Sequence, residues 1–510
     1  MLADSTQITC IPTASPERQH VQPKQSSPRT VTRYFISLLI AIAFATALSP
    51  APTTRRIHPM TNPSLVTYPA PQGAVLSDQY SVSVDGKPVD VYLAPVYEPT
   101  HVYSRRPFGG PYSFAYFDIA APAEVTIRTR KPLDHVRILP ESRNIRPRIE
   151  DGALSFNVSE PCQLSVEPDT KNGPLLLFAN PVDLNPPKPG DPGVKYFGPG
   201  IHNPGEILLG NNETLYIAGG AIVKGGVLAR GNNIRITGRG IIEGLAWPHL
   251  KGPTANPICI RNCTNVRVDG IILKDSWGWN LVIEGSTKVR IDNVKICSAR
   301  CENNDGIGTV NSQHVRIQDC FIRSDDDSIT AKGNGWPSLD PASDGMAVDY
   351  LYVTRCVLWT DRAHIWRLGC ESWAESMRNL SFRDIDVLHY DGPWLAIIQP
   401  AEDMLMENVE FRNIRVNGEG HPQLIEVFPA PTRWFRRKNT PGMVRNVLFK
   451  DLVVTGDRRG PLGLIRVSGC DADHTVEGVT FDNVIRYGHR VTQDSPEVQV
   501  NEFTSNIVFR

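Results

Sequence analysis

The sequence predicts an all-β protein in two parts, an N-terminal antiparallel β-sandwich followed by a parallel β-helix of stacked coils. Three observations predict it. Gly 40 and Pro 42 make up about one residue in six of the 510, a turn-rich composition at odds with long helices. In the first third of the chain, short stretches alternate apolar and polar residues between turn signals. The remainder repeats one pattern at intervals of a few tens of residues.

Charge and apolar content narrow the function classes. Lys and Arg number 53 against 54 Asp and Glu, a formal net charge of −1. The basic surplus that a nucleic-acid partner requires is therefore missing. At 41% hydrophobic residues the chain can fill a core, which excludes disorder throughout. A single long apolar stretch excludes a polytopic membrane protein.

Residues 1–62 read as a targeting segment and linker. The apolar run Tyr34 to Ser49 follows Arg29 and Arg33 and contains the small residues Ala45 and Ala47. This pattern predicts a secretory signal and hence a secreted protein, with an uncleaved membrane anchor as the alternative. From 63 to 185 come YSVSV, VDVYLA, AEVTIRT, HVRILP, LSFNV and CQLSV, separated by turns such as DGKP and EDGA. This spacing predicts the sandwich. The Pro-rich segment 181–193 is the expected linker.

Residues 186–510 carry the repeat, an apolar-x-apolar stretch, a polar Asp or Asn, and a second short apolar stretch. Its first apolar residues are Ile234, Val266, Val289, Val315, Leu351, Leu380, Val409, Val447 and Val479. Strands of three to five residues cannot form a domain alone, but stacked in parallel they pair every amide and build inner ladders, Val289 over Val266 for example. β-Branched enrichment argues against a helical solenoid.

Cysteine gives no metal signature. Cys259/Cys263 and Cys297/Cys301 are each four apart without a completing pair of zinc ligands. Cys320 and Cys356 occupy equivalent strand positions and read as small core hydrophobes. Asn157, Asn212, Asn262 and Asn379 begin glycosylation sequons.

Segments 302–310, ENNDGIGTV, and 323–332, RSDDDSITAK, break the structural pattern. Aligning their strands sets Asp305 against Asp327, 22 residues later and one coil on. The two should lie roughly 5 Å apart, with Asp326 on the same bend pointing elsewhere. Repulsion among three such carboxylates raises at least one pKa. A proton held beside ionised bases is what glycoside hydrolysis needs. The inverting version places acid and base about 6.5–9.5 Å apart, with water between. Asp305 and Asp327 can hold the water, leaving Asp326 as the acid. A solvated acidic turn and a calcium site are the competing readings of SDDDS.

Residues from about 211 to 400 resemble the right-handed β-helix polysaccharide hydrolases of glycoside hydrolase families 28 (polygalacturonases) and 49 (dextranase, isopullulanase). Asn303-Asn304-Asp305-Gly306 is similar to their N-x-D-G motif, and Ser324 to Ser328 to the stretch holding their paired aspartates. The resemblance implies Asp326 as general acid and Asp305 and Asp327 as the pair that positions water, with no metal and no cofactor. Asp325 stands where a polygalacturonase has Gly, so a shift of the pair onto Asp325/Asp326 stays open. Arg362-Ala363-His364 is the nearest equivalent of a Gly-His-Gly, and 394–399, WLAIIQ, lacks an Arg-x-Lys. These departures favour a neutral glycan of the dextranase or isopullulanase kind over galacturonan.

In the strand after the next turn, an inward Ile365 sends His364 and Trp366 outward beside the aspartates. Thr330 and Lys332 face out in the same register. Trp366 is then a sugar platform and His364 orients a carboxylate or hydroxyl. Arg367 and Glu371 join as rim candidates, with Trp277, Trp279 and Trp336. The basic-aromatic run 432–438, TRWFRRK, is either an acidic-glycan contact or a solvated loop. The predicted partner is a polysaccharide substrate. Competing functions are a pectin hydrolase, a polysaccharide lyase using Lys332 as base, and a non-catalytic glycan-binding β-helix.

Overall fold

A computed structural model describes residues 63–96, 110–334, 343–392, 394–418, 423–431, 438–456 and 463–510. The apolar run 34–49, Trp336 and residues 432–437 lie outside the described residues. The chain divides into two units, 1–62 and 63–510, and the described residues belong to the second.

Residues 65–181 form two facing sheets. One joins Leu65–Thr67, Tyr92–Ala94, Tyr112–Ile119, Leu175–Pro181, Cys162–Glu167 and Arg137–Leu139. The other joins Lys87–Val89, Tyr80–Val84, Ala123–Thr129, Ala153–Val158 and Arg148–Glu150. Val82, Val84, Val125, Ile127 and Leu154 of the second sheet meet Phe117, Leu164, Leu175 and Leu177 of the first in one core. Pairing is antiparallel except between Leu175–Pro181 and Tyr112–Ile119, which run parallel. The long excursion between these two strands allows this, because the chain visits the opposite sheet before returning.

From Val194 the chain winds as a right-handed parallel β-helix. The inner column runs through Ile234, Val266, Val289, Val315, Leu351, Leu380, Val409, Val447 and Val479, each in register with the next. Cys320 and Cys356 are buried in the same core. Each of the central coils contributes one strand to each of three sheets. The first contains Ile258–Arg261, Leu281–Glu284, Ile307–Val310, Ile329–Lys332 and Trp366–Leu368. The second contains Thr264–Asp269, Thr287–Asp292, Gln313–Gln318 and Val348–Thr354. The third contains Ile272–Lys274, Lys295–Ser298, Phe321–Ser324 and Val357–Thr360.

The outer face of the third sheet is covered by the sandwich. Tyr112, Phe114, Tyr116, Leu176 and Phe178 pack against Ile272, Cys297, Phe321, Val357 and Trp359. Phe178 and Phe321 lie 5.0 Å apart. Polar contacts tie the seam: Arg239 Nε donates to Asp118 at 3.1 Å, and His389 Nε2 lies 2.8 Å from Glu167 Oε1. The corner between the third and first sheets stays open, and there the acidic segments turn.

Candidate active site

The backbone ladder sets the site. Ile307 pairs with Ile329 and Ile329 with Trp366. Just before these strands, Gly306 N donates to Asp327 O at 2.8 Å and Ser328 N to His364 O at 2.8 Å. Asp305, Asp327 and His364 therefore occupy one position on three consecutive coils, about 4.8 Å per step. Trp279 precedes them and Trp394 follows in the same line, since Leu281 pairs with Ile307 and Trp366 with Ala396. Gly306 permits the stacking: a Cβ there would meet Ser328 O at 2.3 Å and Ile322 Cγ2 at 2.6 Å. Asn304 is fully buried, donating to Gly278 O at 2.6 Å and accepting from Ser298 Oγ at 2.9 Å. Its role is to pin the turn that presents Asp305.

Asp326 sits on the bend between the stacked positions and is the least buried of the three acids. Its carbonyl accepts from Ser324 Oγ at 2.8 Å and Thr360 Oγ1 at 2.7 Å, and its carboxylate from Asp327 N at 3.0 Å. His364 Nδ1 lies 2.6 Å from Asp327 Oδ1, and the His364 backbone N–H donates to the same oxygen at 3.0 Å.

These environments push the carboxyls apart. Burial drives Asp305 well above the usual carboxylate range; the Asp326 charge adds to this and Lys332 opposes it. Asp326 is raised too, by burial and then by Asp327, against Arg362 and Lys332. Burial also acts upward on Asp327, but the charge and hydrogen bond of His364 outweigh it and hold that carboxyl below its ordinary value. The cluster therefore keeps one ionised acid beside two that favour the proton.

A second layer braces the bend. Asp325 points inward, fully buried, and pairs with Arg362. Arg323 pairs with Asp361 at 3.1 Å, its guanidinium stacked 3.9 Å from the Trp359 ring centre. With Asp325 occupied in this way, the pair left on the bend is Asp326, half-buried, and Asp327, buried with 7% exposure. Among the described residues no group of three or more His, Cys, Asp or Glu converges as a metal site.

Trp366 is a correction. Its register partner is Ile329, an inner residue, so its ring enters the core with 0% exposure and packs edge-on against Phe382 and Phe411. The sequence argument took Ile365 as the inward residue. Ile365 is buried as well, at the turn into the strand, and this displaces the alternation by one. Arg367 therefore faces outward in register with Thr330. Trp277 is also fully buried, against Trp247.

Trp279, half-buried, supplies the accessible aromatic instead. Its ring lies across Gly308, where a Cβ would meet Trp279 Cε3 at 3.3 Å and Thr330 Oγ1 at 3.1 Å. Lys332 Nζ lies 4.5 Å from the Trp279 ring centre and 3.1 Å from Glu371 Oε2. Further along the outer column, Arg367 is followed by Ile397, Glu426 and Arg466, the last two paired at 2.7 Å. Arg466 also lies 5.7 Å from the Trp394 ring centre. Sequence reasoning missed Arg362, Trp394, Glu426 and Arg466 in these places. Trp279, named among the rim candidates, precedes Asp305 by the same 26 residues that separate Val289 from Val315.

Residues 225–335 match the sequence profile of glycosyl hydrolases family 28. The chain is 32% identical over 113 residues to Polygalacturonase QRT2 of Arabidopsis thaliana, covering 19% of this chain and 25% of that protein. It is 28% identical over 151 residues to a Vitis vinifera protein described as a probable polygalacturonase, covering 28% and 30%. The similarity thus spans a quarter to a third of the length of these relatives. Dex49A from Penicillium minioluteum superposes with a TM-score of 0.53 at 15% identity, over 86% of this chain and 96% of that one, a likeness of fold. In sequence the central coils, with all three aspartates, are similar to family 28 glycosyl hydrolases.

Proposed function

We propose that this protein is an exported glycoside hydrolase that cleaves a polysaccharide by single displacement with inversion. The observation that carries the reading is the register of Asp305 over Asp327 with Asp326 on the same bend. Asp326, raised and the most accessible, donates its proton to the glycosidic oxygen as that bond breaks. A water attacks the anomeric carbon from the opposite face and passes a proton to Asp327, the ionised member. Asp305 positions that water and Lys332 tempers the charge of the cluster. His364 holds Asp327 in place and keeps it ionised. Trp279 offers its face to a pyranose ring.

A neutral glycan fits the walls best. Lys332 is compensated by Glu371 and Arg466 by Glu426, and Ile397 leaves the coil after Arg367 without a cation. The second reading, a uronate substrate as in a pectin hydrolase, is favoured by Arg367. It faces outward beside Asp327 without an ion pair among the described residues, its guanidinium 2.8 Å from Cys370 Sγ.

Asp326→Asn tests the assignment. General-acid loss is expected to lower kcat on the order of 10²–10⁴-fold on a responsive glycan, with folding unchanged. The parent rate should be bell-shaped in pH, falling on the acid side as Asp327 gains a proton and on the alkaline side as Asp326 loses one. Proton NMR of the first product should show the inverted anomer, with the rate indifferent to chelator. A fully active variant, a retained anomer, or an unsaturated ultraviolet-absorbing product would each refute the mechanism.

A further inference from the structure

The second sheet of the β-helix has an outer face that takes no part in this site. Its register aligns Arg235, Arg267, Arg290 and Arg316 on four successive coils, and Tyr352 on the fifth. All four arginines are exposed. With rungs about 4.8 Å apart, they form a line of like charges, and directly opposed like charges on neighbouring strands destabilise a sheet. Carboxylates relieve the line only at its middle. Arg267 meets Asp269 at 2.8 Å and Asp292 at 3.3 Å, and Arg290 shares Asp292 at 3.5 Å. Arg235 and Arg316 reach no carboxylate among the described residues; Arg316 lies 5.4 Å from the Tyr352 ring centre.

A second column runs beside the first. At the corner entering each strand of this sheet the backbone is left-handed, and most coils place Asn there: Asn233 and Asn265 on one side, Asn379, Asn408 and Asn446 on the other. Their amides are linked, Asn265 donating to Asn233 at 2.8 Å and Asn446 to Asn408 at 3.3 Å. On the three coils between, Lys288, His314 and Tyr350 hold this corner at φ of 57°, 55° and 56°. Asn tolerates that conformation and His to a lesser degree, whereas Lys and Tyr side chains are strained in it. Burial returns little for the strain. Lys288 and His314 are exposed, and Tyr350 keeps 53% of its surface in solvent, stacked on the His314 ring at 4.8 Å.

We propose that this face binds an extended acidic polysaccharide, a polyuronate chain lying along the axis of the β-helix. The guanidinium fork suits carboxylates, and pyranose units in an extended chain advance by a step close to the strand spacing. Four arginines and Lys288 stand against Asp269 and Asp292, leaving a local cationic surplus on a chain with net charge −1. Tyr350 adds an aromatic face for a sugar ring. Duplex nucleic acid carries its phosphates on strands that wind around the helix axis, so they do not follow a straight line of rungs. The track ends where Glu410 enters the same column two coils beyond Tyr352. This face anchors the protein to an acidic matrix, whichever glycan the cleft accepts.

The test uses the full chain carrying Asp326→Asn, so that no probe is hydrolysed, titrated with de-esterified polygalacturonate, dextran and single-stranded DNA. The same protein with Lys288→Asn, Arg290→Gln and Arg316→Gln added is compared, with circular dichroism and melting as the folding control. Lys288→Asn restores the preferred corner residue, so the melting midpoint should hold or rise. Polygalacturonate should bind the first protein, more weakly as salt is added, and the added substitutions should lower its affinity at least tenfold while leaving any dextran binding unchanged. Three results overturn the proposal: no polygalacturonate binding, undiminished binding after the substitutions, or DNA bound as tightly as polygalacturonate. Should the combined variant misfold, Arg290→Gln and Arg316→Gln made singly carry the same comparison.

Discussion

Trp366→Ala separates the buried from the exposed placement of this ring. Its side chain is fully buried, with ring centres 5.9 Å from Phe382 and 5.2 Å from Phe411 at steep interplanar angles. Removing an aromatic that buries ~150–250 Å², at ~25 cal/mol per Å², sets aside roughly 4–6 kcal/mol. Two edge-to-face contacts add about 0.5–1.5 kcal/mol each. Against this, the Trp366 Nε1 hydrogen is buried with no acceptor among the described residues, and deleting such a donor returns about 1–3 kcal/mol. The net expectation is a loss of roughly 2–8 kcal/mol, centred near 5, which overlaps the range of about 3–5 kcal/mol for Trp→Ala in a core. Trp366→Phe keeps most of the ring contacts and removes the stranded donor, so it should cost under ~1.5 kcal/mol. Guanidinium unfolding followed by circular dichroism, with the slope checked for constancy, measures both. An Ala variant with the parent midpoint and weakened glycan binding would refute the inward placement.

Two further substitutions probe the cleft. Asp305 has a folded pKa above its unfolded one, so its contribution favours the fold below the unfolded value and is lost as pH rises through the folded value. Asp305→Asn should therefore be more stable than the parent at pH 7 by roughly 1–3 kcal/mol, with the gap closing near pH 3, while hydrolysis collapses; a less stable variant at pH 7 contradicts the burial argument. Gly308→Ala puts a methyl 3.1 Å from Thr330 Oγ1 and 3.3 Å from Trp279 Cε3. Lifting that ring should raise KM roughly three- to tenfold with kcat nearly intact, and an unaltered KM would remove Trp279 from the substrate.

The ladder of Ile234 to Val479 was readable because every coil needs an apolar residue at that place and the insertions of unequal length fall outside the strand that carries it. Asp305 and Asp327 were legible for the same reason: a 22-residue offset with matching Gly-Ile and Ser-Ile strands fixes one against the other. Trp366 was misplaced because alternation was counted from Ile365, and two successive residues can both be buried where a turn enters a strand. Arg362 read as part of the nearest equivalent of a Gly-His-Gly, and Asp325 as a residue standing where a polygalacturonase has Gly. Only the inward bend of Asp325 reveals them as a pair. Glu426 and Arg466 lie two and three coils past Arg367, beyond insertions of unequal length, so spacing carried no trace of their convergence. The parallel pair in the sandwich was likewise hidden, since strand patterning does not encode direction.

The strand Tyr112–Ile119 is buried at all eight positions, so the sheet containing it is a middle layer, apolar on both sides. One side fills the sandwich and the other is walled by Phe321, Val357 and Trp359. Such a layer makes the two halves unsuited to being traded as independent cassettes. A cut at the Pro-rich crossing would bare a broad greasy wall on each fragment.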